Sequence, residues 1–305
     1  MRNAFAKCLL ALAKKDDDIT LFYADIGNRL FNPLKEVAPE RTINAGIAEA
    51  NMASMAAGAA KMGLTPFIYT ITPFTTARNY EQIKIDIAYE NLPVNIVGTG
   101  SGLSYANLGP THHSFEDIAL MRSLPNMVVL APADSQELTA LMPLVAEDIR
   151  PCYVRIGKKN EPVVHQDLPA LVIGEAHVVQ PGEKVAVLST GTIFPVAKAL
   201  VEQLNLQGIN AELVSFHTIK PLDEKYLYSA QKKFERLITI EEHNVSGGFG
   251  SAVLEFYNEH QLVIPIHRFG IPDHFIDQVG SQADARKIAG LTVESILGSL
   301  TKVLS

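Results

Sequence analysis

The sequence predicts an α/β protein with two doubly wound sheets, and three observations support this fold class. Short β-rich runs alternate with helical patterns along the 305 residues, which is typical of parallel sheets covered by helices on both faces. A chain of this length suits two domains of roughly 150 residues each. A stretch rich in charges and prolines at 158–183 separates two such series. We therefore expect a first domain at 1–157, a linker at 158–183 and a smaller second domain at 184–305.

The first series is predicted from apolar runs of strand length that are separated by segments with helical periodicity. Its expected elements are helix 2–15, strand Ile19–Ala24, helix 47–62, strand Thr65–Tyr69, helix 76–90, strand Val94–Thr99, helix 115–123, strand Met127–Pro132, helix 134–147 and strand Cys152–Ile156. The loop 100–113 is rich in Gly, Ser and Asn. Because sites collect at the carboxyl ends of parallel strands, we predict that this loop is functional.

The second series repeats the same alternation after a linker that is expected to hold one short strand. Its predicted elements are strand Lys184–Thr190, helix 193–207, strand Ala211–Ser215 and strand Arg236–Ile240. After the last of these strands comes a glycine-rich run, 246–250, which two acids precede at 241 and 242. Acids would repel a phosphate, so we interpret this run as tight packing and subunit contact.

The composition excludes several classes of protein. The formal charge is −7 and no Lys/Arg cluster occurs, so no general nucleic-acid or anionic-membrane surface is expected. Cys8 and Cys152 lie far apart and outside metal-ligand spacing, which predicts neither a disulfide framework nor a zinc site. No run approaches the roughly 20 apolar residues that a membrane span needs. We expect a soluble, cytoplasmic protein.

Glu49 is the most informative residue, because an acid stands in a helical run where packing alone favours an apolar side chain. If Ile47, Met52, Ala53 and Met55 surround its carboxyl group, burial should raise the pKa, and the group could then exchange a proton with a cofactor nitrogen near neutral pH. The alternative is an ordinary acid at a helix start, where the helix dipole favours negative charge.

Four further residues are ambiguous on their own. His112, beside His113 at the end of the loop, could exchange protons with a ligand hydroxyl, or it could be a structural histidine. Phe74 could stack on a heteroaromatic ring or belong to the core. Arg78 and Arg155 could hold a phosphate, although most arginines are surface charges.

Taken together, five segments resemble the C-terminal half of transketolase, and they occur in the family's order along nearly the whole chain. They are Arg41–Met52, Tyr80–Ala88, Gly109–Met127, Ala131–Asp134 and Glu241–Asn244. The chain resembles the separately encoded C-terminal subunit of a split transketolase. This resemblance implies a pyrimidine-binding, thiamine-diphosphate domain followed by the transketolase C-terminal domain.

The resemblance also implies roles for individual residues. Glu49 matches the catalytic glutamate that bonds to the aminopyrimidine ring, and Phe74 matches the aromatic residue that stacks on that ring. Ile71 and Arg78 are expected to bind the cofactor with them. His112 matches the active-site histidine of the Gly-Pro-Thr-His motif. Arg155 and Arg2 match arginines that bind the substrate's phosphate.

Several positions depart from the family pattern. Ile71 and Ala77 replace two aromatic residues of the cofactor platform, which implies altered cofactor affinity. Leu108 and Gly100 replace an acid and a histidine that read sugar hydroxyls, so the usual ketose phosphates cannot be assumed. Arg29 stands about where the family has a small hydroxyl residue, and it would suit an anionic terminus, phosphate or sulfonate.

The sequence lacks the Gly-Asp-Gly motif with a distant Asn that binds Mg²⁺ and diphosphate in this family. The resemblance therefore implies an N-terminal partner subunit that carries those sites, assembled with this chain as a dimer of heterodimers. The expected reaction is transfer of a two-carbon ketol unit between anionic sugars. Three alternatives stay open: a deoxyxylulose-phosphate-synthase-like condensation, the beta subunit of a 2-oxo acid dehydrogenase, and a non-catalytic paralogue.

Overall fold

A computed structural model describes residues 1–27 and 29–304, with side chains through residue 300. Twelve strands form two sheets within the described residues. They are Ile19–Ala24 (β1), Thr42–Gly46 (β2), Thr65–Ile71 (β3), Asn95–Thr99 (β4), Val128–Leu130 (β5), Cys152–Ile156 (β6), His177–Gln180 (β7), Val185–Ser189 (β8), Ala211–Ser215 (β9), Thr218–Lys220 (β10), Arg236–Asn244 (β11) and Ile266–Ile271 (β12).

Helices cover the faces of both sheets. They are Arg2–Ala13 (α1), Asn32–Val37 (α2), Glu49–Lys61 (α3), Thr72–Thr75 (α4), Tyr80–Gln82 (α5), Asp117–Arg122 (α6), Ser135–Glu147 (α7), Phe194–Leu206 (α8), Glu224–Lys233 (α9), Phe249–Glu259 (α10), Gln282–Ile288 (α11) and Val293–Leu304 (α12). A π-helical segment, Ile83–Tyr89, continues α5.

The first sheet has the strand order β10-β5-β6-β4-β3-β1-β2, and all its neighbours are parallel except β10 and β5. Successive side chains of a strand point to opposite faces. Leu21 of β1 accordingly packs in one buried cluster with Phe5 of α1, while Phe22 packs in another with Met52 of α3. Burial on both faces explains why these strands are continuously apolar. The predicted α/β class is confirmed.

The second sheet has the order β12-β11-β8-β9-β7, with β7 antiparallel to β9. The short strand expected in the linker is therefore β7, and it belongs to the second sheet. The two halves are also joined more closely than the linker suggested. The strand β10 comes from the second half of the chain but pairs with β5 of the first sheet.

The prediction of one helix at 76–90 is wrong. The structure has α4 before this range, a turn at 76–79, and then α5 with its π-helical continuation. The hydroxyls of Thr75 and Thr76 donate hydrogen bonds to the carbonyls of Ile71 and Thr72. Such side-chain bonds compete with regular helical pairing and favour a helix end. The interruption places Phe74 in the short helix α4 and Arg78 in the turn that follows it, rather than both inside one long helix.

Candidate active site

The carboxyl ends of four neighbouring parallel strands, β1, β3, β4 and β6, meet at one edge of the first sheet. Ligands bind at this edge in open α/β sheets. After β3, the short helix α4 carries Phe74 and the turn that follows it carries Arg78, and the loop after β4 carries His112. Lys158 follows β6 by two residues. This edge therefore carries most of the residues that the sequence singled out.

Glu49 is the first residue of α3, and its side chain is only 5% exposed. Its Oε1 lies 3.0 Å from Nη1 of Arg78. The predicted apolar surroundings are half wrong: Met52 and Ala53 are buried, but Ile47 is 79% exposed and Met55 is 36% exposed. The carboxylate therefore faces a cation on one side, rather than apolar side chains all round.

Arg78 connects Glu49 with Phe74. Its guanidinium carbon lies 3.9 Å from the centroid of the Phe74 ring, which is a cation–π contact. Phe74 is half-buried, and its ring meets His112 edge-on at a centroid distance of 5.3 Å. The structure thus brings Glu49, Arg78, Phe74 and His112 together in one chain of contacts.

His112 is half-buried, and its Nδ1 lies 2.9 Å from the hydroxyl of Thr111. Burial, followed by the nearby positive charges of Lys158 and Arg78, lowers the pKa of His112 from its usual 6.5. The imidazole is therefore neutral at pH 7 and can both accept and donate a proton. The adjacent His113 differs, because it is buried and its ring stacks on Phe115 at 5.1 Å.

The structure does not support the predicted phosphate-binding role of Arg155. Its side chain is 1% exposed, and its Nε lies 2.6 Å from Oδ2 of Asp117, which also accepts a hydrogen bond from Tyr153. Its Nη2 donates to the carbonyl of Glu242 at 2.8 Å. A guanidinium with these partners ties the first domain to the second and is not open to a substrate.

The other predicted residues lie at or near the edge of the sheet. Ile71 is buried at the end of β3. Arg2 begins α1, and its positive charge affects the pKa of both Tyr105 and Lys158, so it lies close to them. Arg29 is exposed in the turn after β1, and no contact joins its side chain to the residues above in the described part of the chain.

Sequence reasoning missed Tyr105 and Lys158. The Nζ of Lys158 lies 4.1 Å above the Tyr105 ring, which is 5.9 Å from the His112 ring. Lys158 stands just after a parallel strand in the sequence, and that position could have indicated it. Nothing in the sequence shows that Tyr105 folds back toward the start of its own loop.

The second domain holds the loop 100–113 in place. Oε1 of the buried Glu242 accepts a hydrogen bond from the backbone of Leu103 at 2.7 Å. The same carboxylate accepts from Gln282 and forms an ion pair with Arg286. The acids before the glycine-rich run are therefore structural, which agrees with the interpretation of tight packing. The predicted role of the glycine-rich run in subunit contact stays a prediction.

Within residues 1–27 and 29–304, no group of three or more His, Cys, Asp and Glu side chains could hold a metal ion. No helix among these residues has the length and apolar character that crossing a membrane requires.

Comparison with known proteins identifies the family. The transketolase pyrimidine-binding domain matches residues 1–163, and the transketolase C-terminal domain matches residues 174–296. The 6-deoxy-6-sulfo-D-fructose transketolase subunit SqwH of Clostridium sp. (strain MSTE9) is 34% identical, and the match covers 99% of this chain and 94% of that protein.

The 1-deoxy-D-xylulose-5-phosphate synthase of Shouchella clausii (strain KSM-K16) is 37% identical over 99% of this chain. The chain spans only 48% of that synthase. A solved split-gene transketolase, described as an inactive beta4 tetramer, superposes with a TM-score of 0.88 at 32% identity, covering 99% of this chain and 96% of that one. The chain therefore belongs to the transketolase family and combines its pyrimidine-binding domain with its C-terminal domain.

Proposed function

We propose that this chain is the C-terminal subunit of a two-chain, thiamine-diphosphate-dependent transketolase. The reaction is transfer of a two-carbon ketol unit from an anionic ketose donor to an aldose acceptor. The observation that carries the proposal is the contact chain Glu49–Arg78–Phe74–His112 at the edge of the first sheet. Relatives that are transketolase subunits of nearly the same length support it.

The residues at this edge fit the aminopyrimidine ring of thiamine diphosphate. One flat guanidinium, that of Arg78, already contacts both the face of Phe74 and the carboxylate of Glu49. A flat heteroaromatic ring with a basic nitrogen can make the same two contacts. When bound, thiamine diphosphate would supply the carbon nucleophile that ketol transfer requires.

Each residue then has a defined task. Glu49 holds or releases a proton at the pyrimidine nitrogen, and its burial keeps that proton from water. Phe74 orients the ring by stacking, with Ile71 forming part of the wall. His112, neutral at pH 7, exchanges protons with substrate hydroxyls. Arg78 moves off the Phe74 face when the ring binds and stays beside the site.

The diphosphate and Mg²⁺ are assigned to an N-terminal partner subunit, and a dimer of heterodimers completes the enzyme. The absence of the Gly-Asp-Gly motif from the sequence supports this division. The assembled enzyme is proposed to be cytoplasmic.

The substrates are proposed to be sugars that carry a phosphate or a sulfonate. The relative from Clostridium is named for a sulfonated ketose, and cations cluster at this edge of the present chain, namely Arg2, Arg78 and Lys158. Arg29 is proposed to contribute from the turn after β1.

A synthase-like condensation is the second candidate. It is favoured by the 37% identity to a 1-deoxy-D-xylulose-5-phosphate synthase, of which the match covers 48%. That reaction uses a 2-oxo acid donor and releases carbon dioxide, which ketol transfer does not. A 2-oxo acid dehydrogenase beta subunit would also release carbon dioxide.

The test combines the purified chain with a candidate N-terminal subunit, thiamine diphosphate and Mg²⁺. A ketose donor with an aldose acceptor should give a ketose that is two carbons longer than the acceptor, detected by mass spectrometry. Pyruvate as donor should release no carbon dioxide. Carbon dioxide release would favour the oxo-acid reactions, and no product with any donor would favour the non-catalytic paralogue. Full turnover by the isolated chain would contradict the two-chain proposal.

A further inference from the structure

Residues 100–114 form a closed loop that packs on itself. The backbone N–H of Ser114 donates a hydrogen bond to the carbonyl of Gly102 at 3.0 Å, and these two residues form an antiparallel bridge, so the ends of the loop meet. Inside the loop, the ring of Tyr105 lies against Gly100, where an added Cβ would come within 2.0 Å of Cε2. Since close packing transmits a shift from one side of a segment to the other, this loop should move as one unit.

A series of backbone hydrogen bonds joins the start of the loop to His112. The N–H groups of Ala106, Gly109 and His112 donate to the carbonyls three residues earlier, at 2.9, 3.3 and 3.0 Å, and the first of these carbonyls belongs to Leu103. Each bond closes a turn of four residues, and such a turn fixes the direction of the chain. The position of His112 therefore depends on where Leu103 is held.

Glu242 of the second domain holds Leu103. Its Oε1 accepts the backbone N–H of Leu103 at 2.7 Å, and the negative charge strengthens such a bond. The preceding residue, Gly102, allows this close approach. Gly102 has a φ of +59°, and an added Cβ would lie 2.4 Å from Oε1 and 2.8 Å from the carbonyl oxygen of Glu242. A side chain at position 102 would therefore push the loop away from the carboxylate.

The carboxylate of Glu242 is itself fixed from several sides. It is fully buried, Gln282 donates to its Oε1 at 2.9 Å, and Arg286 forms an ion pair with its Oε2. The backbone of the same residue is held as well, because Nη2 of Arg155 donates to the carbonyl of Glu242 at 2.8 Å and to that of Ser114 at 3.4 Å. Both ends of the loop are thus attached at Glu242.

Apolar packing attaches the loop to the same domain. Leu103, Ala106 and Phe115 belong to the buried cluster that contains Ile240 and Ile271 of the second sheet. Burial of apolar surface adds to the hydrogen bonds in holding the loop there. The loop that carries His112 follows a strand of the first sheet, but it is packed as part of the second domain.

We propose that Glu242 is a positioning residue for ketol transfer, which holds Leu103 and thereby fixes where the loop presents His112 to the substrate. The carboxylate acts through the backbone of the loop. It keeps the His112 ring in contact with Phe74 and Tyr105, at centroid distances of 5.3 and 5.9 Å. The reaction, and the part of His112 in it, rest on the proposed function.

The first experiment measures the pKa of His112 by NMR in the isotope-labelled full chain. Burial, followed by the charges of Lys158 and Arg78, lowers this pKa, and the other titratable groups beside the ring are Tyr105 and His113. A loop that is released from the second domain would give the ring more contact with water and more distance from both cations. The pKa should then rise toward its usual value of about 6.5. The signal is identified by its loss in His112→Gln.

Two variants release the loop in different ways. Glu242→Gln keeps the shape of the side chain, but an amide has one acceptor oxygen and cannot serve both Leu103 and Arg286. Gly102→Ala keeps every polar group and places its Cβ where Oε1 of Glu242 lies. Both should raise the pKa of His112. If thermal unfolding shows that neither variant folds, Arg286→Gln, which removes only the ion pair at a partly exposed residue, takes their place.

Glu241→Gln is the matched control. Glu241 is equally buried and adjacent, but it accepts hydrogen bonds from the backbone of Phe249 and Gly250 and not from the loop. This variant should leave the pKa of His112 unchanged. A pKa that stays constant in the folded Glu242 and Gly102 variants, or that rises equally in Glu241→Gln, would overturn the inference.

The second experiment uses the assembled two-chain enzyme and separates this inference from the proposed function. Glu242→Gln and Gly102→Ala should lower kcat by up to about 10²-fold, the usual cost of misplacing a reacting group by roughly 1 Å. The KM for thiamine diphosphate and the kcat of Glu241→Gln should stay within about twofold of the wild type. A raised pKa of His112 without ketol transfer by the wild type would uphold the control of the loop by Glu242 and reject the proposed function. Ketol transfer with an unchanged kcat in both variants would overturn the positioning role.

Discussion

The carboxyl ends of the two sheets carry similar polar residues, yet the two regions use them differently. In the second sheet, Glu241 accepts hydrogen bonds from the backbone of Phe249 and Gly250 at 2.7 and 2.8 Å. His243 accepts one from the backbone of Ala119 at 3.2 Å. These groups are buried and paired within the chain. Glu242 is likewise held by its three partners.

In the first sheet, the polar groups keep unused bonding capacity. His112 is half-buried and bonds only to the exposed Thr111 among the described residues, and Lys158 has no acidic partner there. Within the described part of the chain, the carboxylate of Glu49 is paired only with a half-exposed arginine. Buried polar groups need partners, and a group without them within its own chain is available to a ligand. For these carboxylate, imidazole and ammonium groups, the number of partners within the chain, rather than the residue type, separates the second-sheet edge from the candidate active site.

The largest expected effect comes from Glu49 in the candidate active site. Glu49→Gln should lower kcat of the assembled enzyme about 10³-fold, because the amide cannot exchange a proton with the cofactor ring. Assembly with the partner should persist, as measured by size-exclusion chromatography. Glu36→Gln, a change at an exposed acid on α2, is the control. Activity close to that of the wild type in Glu49→Gln would remove the distinction between the two regions.

Arg155 tests the structural assignment directly. Arg155→Gln leaves Asp117 buried without its counter-ion, so the free energy of unfolding should fall by about 3–5 kcal/mol in urea titrations. A substrate-binding arginine would behave differently, because its loss would raise KM and leave stability nearly unchanged. That second result would return Arg155 to the substrate site.

The pH dependence of stability should be dominated by the buried groups of the second half of the chain. Burial lowers the pKa of His243 and of His217 to about 4. Between pH 4 and 6.5 the unfolded chain binds more protons at these residues than the folded chain does, so stability should rise with pH across this window. Burial raises the pKa of Glu241 to about 7, and that group opposes the trend from pH 4.5 to 7.

Because the two histidines outweigh the one acid, the free energy of unfolding should increase by about 2–3 kcal/mol between pH 4.5 and 6.5. Urea unfolding at several pH values measures this gain. Replacing Glu241 with Gln should make the rise steeper. Stability that is constant or falls across this window would contradict the burial of these groups.

The smallest expected effect concerns Arg78. The half-exposed ion pair with Glu49 and the contact over Phe74 are each worth about 0.5–1 kcal/mol. Arg78→Met should therefore let the isolated chain bind thiamine up to about tenfold more tightly, because the ring no longer displaces these contacts. Calorimetry on the isolated chain measures this affinity. Weaker binding would instead make Arg78 a direct ligand of the cofactor.

The strands were predictable because burial on both faces requires continuous apolar runs. Ile19–Ala24, Cys152–Ile156 and Ala211–Ser215 form as predicted. Strands at the edges of the sheet have shorter or less continuous apolar runs. The edge strand Thr42–Gly46 was not predicted. The pairing of Thr218–Lys220 with β5 depends on the second half of the chain folding against the first.

Within the candidate site, the motif residues were predictable, but their partners were not. Glu49, Phe74 and His112 stand in recognisable local patterns, and the fold brings them together through Arg78. Arg155 has the same residue type and the same strand-end location as a phosphate ligand. Its burial against Asp117 depends on contacts that join residues far apart in sequence.

The sequence by itself determined the α/β class, the family and the residue types at the active edge, because these depend on local periodicity and short motifs. Only the tertiary structure decided which charged groups are paired within the chain and which are available to a ligand. Tyr105 filling the space at Gly100 and Arg155 bonding to Asp117 and to the carbonyl of Glu242 are three-dimensional contacts. Burial and partner choice arise from such contacts, and no local pattern encodes them.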